Sequence, residues 1–134
     1  MKILVTGGCG FLGSHVCELF KRKGWEVVAF DNLTKYEFSR VPYWDLDKVR
    51  SYNLEFLRKI GVKTVKGDVR KFRELLEASK GADYIIHTAA QPAITISIEN
   101  PRLDLQTNVL GTFNVLEVAR KLDIPIAYCS TIHV

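Results

Sequence analysis

Gly7, Gly8, Gly10 and Gly13 fall within "KILVTGGCGFLGSHV" (2–16), directly after an aliphatic run and directly before a helix-like pattern. Gly7, Gly10 and Gly13 spell GxxGxxG, while Gly8, Gly10 and Gly13 spell GxGxxG. A bend free of Cβ atoms lets the backbone turn tightly, lets a diphosphate approach it, and lets the following helix pack closely on a sheet. The free N–H groups at the helix start then face the phosphates. Glycine-rich turns also serve hairpins and helix caps, so the context has to carry the reading. Asp31 supplies it, at the end of the second apolar run "WEVVAF" (25–30). A carboxylate there accepts hydrogen bonds from a ribose diol and repels a 2′-phosphate, which points to NAD rather than NADP. Capping of "DNLT" by Asp31 is a simpler role, but it leaves the combination of strand, glycines and acid unexplained.

Other residues suit the same ligand. Asp68 in "GDVR" ends the third apolar run, on the side where an adenine would lie, and could equally cap the helix expected over 69–80. Ala89 and Ala90 in "HTAAQ" (87–91) are small enough for a ligand to lie flat against the backbone. Asn108 falls within a long helical pattern, where asparagine is disfavoured. An exposed position would tolerate it, and a buried amide holding a nearby backbone would require it. His15, His87 and His133 lack metal-ligand spacing, and Cys9, Cys17 and Cys129 form neither CxxC nor a zinc pattern, so no metal site is expected.

Five strands must position these groups. "KILVT" (2–6) reads as a buried strand, followed by a helix from about Phe11 to Lys23 that Gly24 stops. "WEVVAF" is the second strand. A helical pattern then runs to Lys59 or Ile60, "VKTVKGD" (62–68) is the third strand, and "VRKFRELLEASKG" (69–81) contains the next helix. "DYIIHTAA" (83–90) holds strand four and its exit turn. "ITISIEN" (94–100) alternates with period two, which suggests a strand, although Pro92 and Pro101 suit an irregular loop equally well. Pro101 opens a long helix to about Leu122, with Leu105, Val109, Phe113 and Leu116 on one face. "PIAYCS" (125–130) is strand five. Alternating strands and helices predict an α/β fold: a doubly wound, Rossmann-type parallel sheet in the order 3-2-1-4-5, with the chain ending just past strand five.

Composition narrows the function classes. The chain has 134 residues, 47% of them hydrophobic and 25% charged, ordinary values for one folded unit. No apolar run is long enough to span a bilayer, and "ILVTGG" lacks a signal-peptide core, so a cytoplasmic protein without membrane contact is expected. The net charge of +4 comes from clusters at 21–23, 58–59, 70–73 and 120–121. Three of these fall at expected helix C-termini, where cations meet the dipole favourably, so no nucleic-acid partner is expected.

Together, "TGGCGFLGSH", "FDN", "GD", "HTAAQ", "NVLGTFNVLE" and "CSTIHV" resemble the extended short-chain dehydrogenase/reductase family, in its NAD-dependent epimerase/dehydratase branch. The stretch "HTAAQPAITISIENPRLDLQTNV" is more similar to the CDP-sugar 2-epimerases than to the UDP-galactose 4-epimerases. The resemblance implies that residues 1–134 are the NAD-binding part of a homo-oligomeric enzyme acting on a nucleotide-diphosphate sugar. It implies that Gly7, Gly10, Phe11 and Leu12 line the pyrophosphate, that Asp31 and Asn32 hold the adenosine ribose, and that Asp68 and Val69 meet the adenine. Ala89, Ala90 and Gln91 would lie near the nicotinamide with Asn108 behind them, and the catalytic hydroxyl would be that of Thr131. It also implies a YxxxK tyrosine and lysine after strand five, which these residues do not contain. Tyr128, followed by "CST", is no substitute. The sugar-binding C-terminal part is likewise missing. The 134-residue chain is therefore expected to be inactive alone, and to associate through the unpaired edge of "PIAYCS". Other members of the branch (4-epimerases, 4,6-dehydratases, decarboxylases) would share this half, and a non-catalytic nucleotide-binding module is the alternative.

Overall fold

In the computed structural model, residues 1–34 and 46–130 are described. The five strands β1 (Lys2–Thr6), β2 (Glu26–Asp31), β3 (Lys63–Lys66), β4 (Tyr84–His87) and β5 (Ile126–Tyr128) form one parallel sheet in the order β3-β2-β1-β4-β5. That is the doubly wound order expected from the alternation of elements. Strands covered on both faces are apolar at nearly every position. Leu4, opposite Val28 and Ile85, packs on one face with Val115, Val118 and Leu75. Ile3 and Val5, opposite Val27 and Ala29, pack on the other with Cys17 and Leu57.

Helices α1 (Phe11–Arg22) and α2 (Leu46–Lys59) supply the second face, while α3 (Phe72–Ser79) and the C-terminal helix α6 (Gly111–Leu122) supply the first. Lys21 and Arg22, Arg58 and Lys59, and Arg120 and Lys121 occupy the last turns of α1, α2 and α6. These are three of the four basic clusters, placed as the dipole argument expects.

The structure corrects the expectations in three places. "ITISIEN" is neither strand nor loop: Ile94–Glu99 forms the short helix α4. β4 already has β1 on one side and β5 on the other, so a strand emerging there has no edge of β4 to join. Helix geometry instead buries Ile96 and turns Ile94 and Ile98 outward.

The long helix, secondly, is not continuous. Pro101–Asp104 forms α5, with Asn100 Oδ1 accepting from Leu103 N at its start, and Leu105–Leu110 winds as a π-helical turn before α6. Its supposed inner face is reversed too. Leu105, Val109, Phe113 and Leu116 are about half exposed, whereas Gly111 is buried against Val69, and Val115, Val118 and Ala119 pack with the sheet.

The third correction concerns Asp68. α3 begins at Phe72 and its cap position is Lys71, so Asp68 does not cap it.

Close backbone contacts shape the β1–α1 connection. Gly7 N donates to Phe30 O at 2.8 Å, and Gly10 N to Gly7 O at 2.9 Å. Gly7 has φ +67°, and a Cβ there would lie 2.7 Å from Ala89 N. A Cβ on Gly13 would overlap the Gly7 carbonyl oxygen.

A buried chain of hydroxyls and one imidazole joins the sheet to the π turn. His87, 1% exposed, has Nδ1 2.6 Å from Thr6 Oγ1 and Nε2 3.1 Å from Thr112 Oγ1. Thr112 donates its proton to Asn108 O at 2.7 Å, so the ring must donate from Nε2. Nδ1 then accepts from Thr6, whose oxygen in turn accepts from Ala89 N. Burial pushes the His87 pKa from 6.5 down to about 4, which keeps the ring neutral.

Two outcomes follow from these contacts. Gly13→Ala should cost about 3 kcal/mol in chemical denaturation, because the Gly7 carbonyl cannot move without breaking the turn. The depressed His87 pKa means that the unfolded chain binds the extra proton between pH 6.5 and about 4. Its contribution to stability is complete above that window and is lost as the pH falls through it. Unfolding free energy from urea titrations should drop by roughly 2 kcal/mol between pH 7.5 and pH 5, and His87→Gln should remove that part of the slope.

Candidate functional site

A cleft of about 400 Å³ opens at the carboxyl ends of the strands, where β1 lies between β2 and β4 and the strand order reverses. This is the place where doubly wound sheets bind ligands, and the size is that of a small-molecule site. Gly7, Gly10, Phe11 and Leu12 form one wall, Asp31, Asn32 and Val69 another, and Ala89, Ala90 and Gln91 a third. Ten of the thirteen residues singled out above thus line one cavity.

Asp31 faces the glycine bend. Its Oδ2 accepts from Cys9 N at 3.0 Å, and its Oδ1 accepts from Leu33 N at 2.7 Å. The second bond draws Leu33 to φ +62°, a left-handed conformation that costs a branched residue about 1 kcal/mol.

Asp68 does not line the cleft; it stands behind Asn32, whose Nδ2 donates to Oδ2 at 3.4 Å. Arg70 grips it with Nε on Oδ1 at 2.9 Å and Nη2 on Oδ2 at 2.6 Å, while the Arg70 backbone N–H adds a bond to Oδ1. Burial raises the Asp68 pKa, but the Arg70 and Asn32 hydrogen bonds and the guanidinium charge outweigh it and hold the carboxyl below its usual value.

Asn108 is also outside the lining. From the π turn its Oδ1 accepts from Gln91 N at 2.8 Å, and its Nδ2 donates to Gln91 O at 3.0 Å and to Asp104 Oδ1 at 2.7 Å. This amide ladder holds the Gln91 backbone from a half-buried position, between the exposed site and the buried amide expected. The Gln91 side chain, 6% exposed, donates from Nε2 to Ala93 O at 2.8 Å. Thr131 lies outside the described residues, as does His133. No cluster of candidate metal ligands occurs among the described residues.

The sequence reading missed Phe30, Thr34, Gly67, Thr88, Pro92 and Thr107, which complete the lining. Gly67 is the one with a visible signal, since it precedes Asp68 in "KGD" and has the Phe30 ring where a Cβ would go.

The residues suit a dinucleotide. The bend presents backbone rather than side chains, Asp31 places a carboxylate beside it, and the Ala89–Ala90 wall is short. Among the described residues, no helix is long and apolar enough to cross a membrane.

Residues 3–134 match the NAD dependent epimerase/dehydratase family. The chain is 37% identical over 124 residues to a CDP-paratose 2-epimerase from Salmonella typhi, covering 90% of this chain and 33% of that protein. It is likewise 37% identical over 124 residues to a putative UDP-glucose 4-epimerase from Methanocaldococcus jannaschii, covering 91% and 35%. The crystal structure of the Thermus thermophilus UDP-glucose 4-epimerase in complex with NAD matches with a TM-score of 0.70 at 32% identity, over 92% of this chain and 35% of that one. The chain spans about a third of the length of the curated relatives it matches. With its doubly wound sheet, its glycine bend and a match along nearly its whole length, the chain belongs to the NAD dependent epimerase/dehydratase family.

Proposed function

We propose that residues 1–134 form the NAD-binding part of a nucleotide-sugar epimerase, with a CDP-sugar 2-epimerase as the first candidate. The observation that carries this reading is the joining of Asp31 to the glycine bend through the Cys9 N–H, which sets a carboxylate beside an anion-accepting backbone within one cleft. Gly7, Gly10, Phe11 and Leu12 hold the pyrophosphate, and Asp31 with Asn32 holds the adenosine ribose. Val69 lies against the adenine, with Asp68 fixing Asn32 beside it. Ala89, Ala90 and Gln91 flank the nicotinamide, and Asn108 fixes the backbone of Gln91.

When bound, NAD supplies a reversible acceptor for the carbon-bound hydrogen of a sugar alcohol. That reversible chemistry would invert the sugar centre with no net consumption of the cofactor. Thr131 orients the reacting sugar oxygen. The tyrosine that takes its proton, with its lysine, belongs to a YxxxK segment beyond Val134, and the 134-residue chain alone is inactive. The protein is cytoplasmic and works as a homo-oligomer on a nucleotide-diphosphate sugar.

A UDP-sugar 4-epimerase is the second reading, favoured by the equal identity to the Methanocaldococcus jannaschii protein. Product NMR after incubation of the full-length protein with CDP- and UDP-sugars separates the two. Inversion at C2 of a CDP-sugar supports the first, inversion at C4 of a UDP-sugar the second, and no inversion in either series defeats the proposal. In calorimetric titrations NAD should bind at least roughly tenfold more tightly than NADP. Asp31→Ala should weaken NAD roughly 10- to 100-fold through loss of charge-assisted hydrogen bonds. Equal affinity for the two cofactors would count against the role given to Asp31.

A further inference from the structure

Helix α2 reaches across to the glycine bend with one side chain. Asn53 Nδ2 donates to Cys9 O at 2.9 Å and to Gly10 O at 3.3 Å. Gly10 O also accepts from Ser14 N at 3.0 Å. Leu57, one turn further along α2, is fully buried between helix and sheet. Residues four apart share a helix face, so the burial of Leu57 sets which way Asn53 is presented. Nothing in the sequence pattern singles out Asn53, since its partners are backbone atoms more than forty residues away.

The effect of this contact follows from peptide geometry. All peptide bonds described here are trans, so each carbonyl points opposite to the N–H of the next residue. Drawing Cys9 O and Gly10 O towards α2 turns the N–H groups of Gly10 and Phe11 the other way. The Gly10 N–H is taken by Gly7 O at 2.9 Å. The Phe11 and Leu12 N–H groups belong to the first turn of α1, where no carbonyl lies a turn earlier to accept them. Both residues line the cleft.

We propose that Asn53 is a positioning residue for the diphosphate of the bound ligand: by holding the Cys9 and Gly10 carbonyls against α2, it makes the bend present N–H groups, and not carbonyl oxygens, to the anion. This rests on the reading of the cleft as a dinucleotide site. Loss of the amide removes the 2.9 Å bond to Cys9 O and one of the two donors on Gly10 O, leaving Ser14 N to hold the latter, so the bend aims its N–H groups less firmly and a carbonyl tilted towards the cleft opposes a phosphate. An uncharged ligand held by the Asp31 and Asn32 wall presents no charge for such a carbonyl to oppose. The change is therefore selective for the charged portion of the ligand, which a general loosening of the fold is not.

The test uses the full-length protein with three probes: NAD and ADP by calorimetric titration, and adenosine by ligand-observed NMR. Asn53→Ala should weaken NAD and ADP roughly tenfold, as expected for a hydrogen bond that orients groups binding a charge, and leave adenosine within about twofold. Asn53→Asp keeps the shape of the side chain, removes the donor and sets a carboxylate against two carbonyl oxygens. It should weaken NAD and ADP further, again sparing adenosine, and it serves if the alanine variant does not fold. Equal losses for all three probes, or unchanged NAD affinity in both variants, would overturn the role of Asn53 alone. Wild-type protein that binds no NAD would instead overturn the reading of the cleft, and this inference with it.

Discussion

Three backbone contacts closer than any side chain permits govern the molecule. Gly7 lies against the chain leaving β4, Gly8 against Ala29 of β2, and Gly13 of α1 against the Gly7 carbonyl. They bring the carboxyl end of β1, the first turn of α1 and the exit of β4 to one point. A parallel sheet whose order reverses at β1 must leave a crevice there, because its two neighbouring connections run to opposite faces. The glycines let backbone amides form one wall of that crevice, and the orphan N–H groups of a helix start are chemically suited to an anion.

Side-chain hydrogen bonds then fix a bend that has no side chains of its own. Asp31 holds it from β2 through Cys9 N, and Asn53 holds it from α2 through two carbonyls. On the opposite wall, Thr88 Oγ1 donates to Thr6 O at 2.7 Å, and Asn108 ties Gln91 to the π turn. Beneath them the Thr6–His87–Thr112 chain runs in one direction, with a neutral ring accepting at Nδ1 and donating at Nε2. A fully satisfied network of this kind is rigid, because each rotation would strand a buried polar atom. The wider π turn leaves Asn108 where its amide reaches Gln91, which fits the tendency of π turns to mark sites of function.

Charge is distributed differently. The basic residues in the last turns of α1, α2 and α6 complement those helix ends rather than form a patch. The two carboxylates near the cleft are treated unlike each other. Asp68 is gripped by Arg70 and bonded to Asn32, while Asp31 accepts from the backbone N–H groups of Cys9 and Leu33 and borders the cavity itself.

Much of this was legible in order along the chain. Apolar runs, glycine stops and alternation specify five strands, their parallel arrangement and the order 3-2-1-4-5, because burial on both faces needs continuous apolar strands. The glycine spacing and Asp31 identify the cleft for a similar reason: they are local patterns whose chemistry does not depend on distant partners. "ITISIEN" shows where such reasoning fails, since period-two alternation makes a strand only if a sheet edge is free to receive it. The outward turn of Leu105, Val109, Phe113 and Leu116 fails likewise, because two faces of that segment are apolar and only packing on the sheet chooses between them. Asn53, Thr6 and Thr112 carry no signal at all, as their partners lie far away in sequence. Local pattern thus determined the elements, their order and the ligand-facing bend. Which face each helix buried, the place of Asp68 outside the cleft lining and which distant amides hold the bend were decided by tertiary structure alone, because hydrogen bonds and contacts between remote segments exist only once the chain has closed.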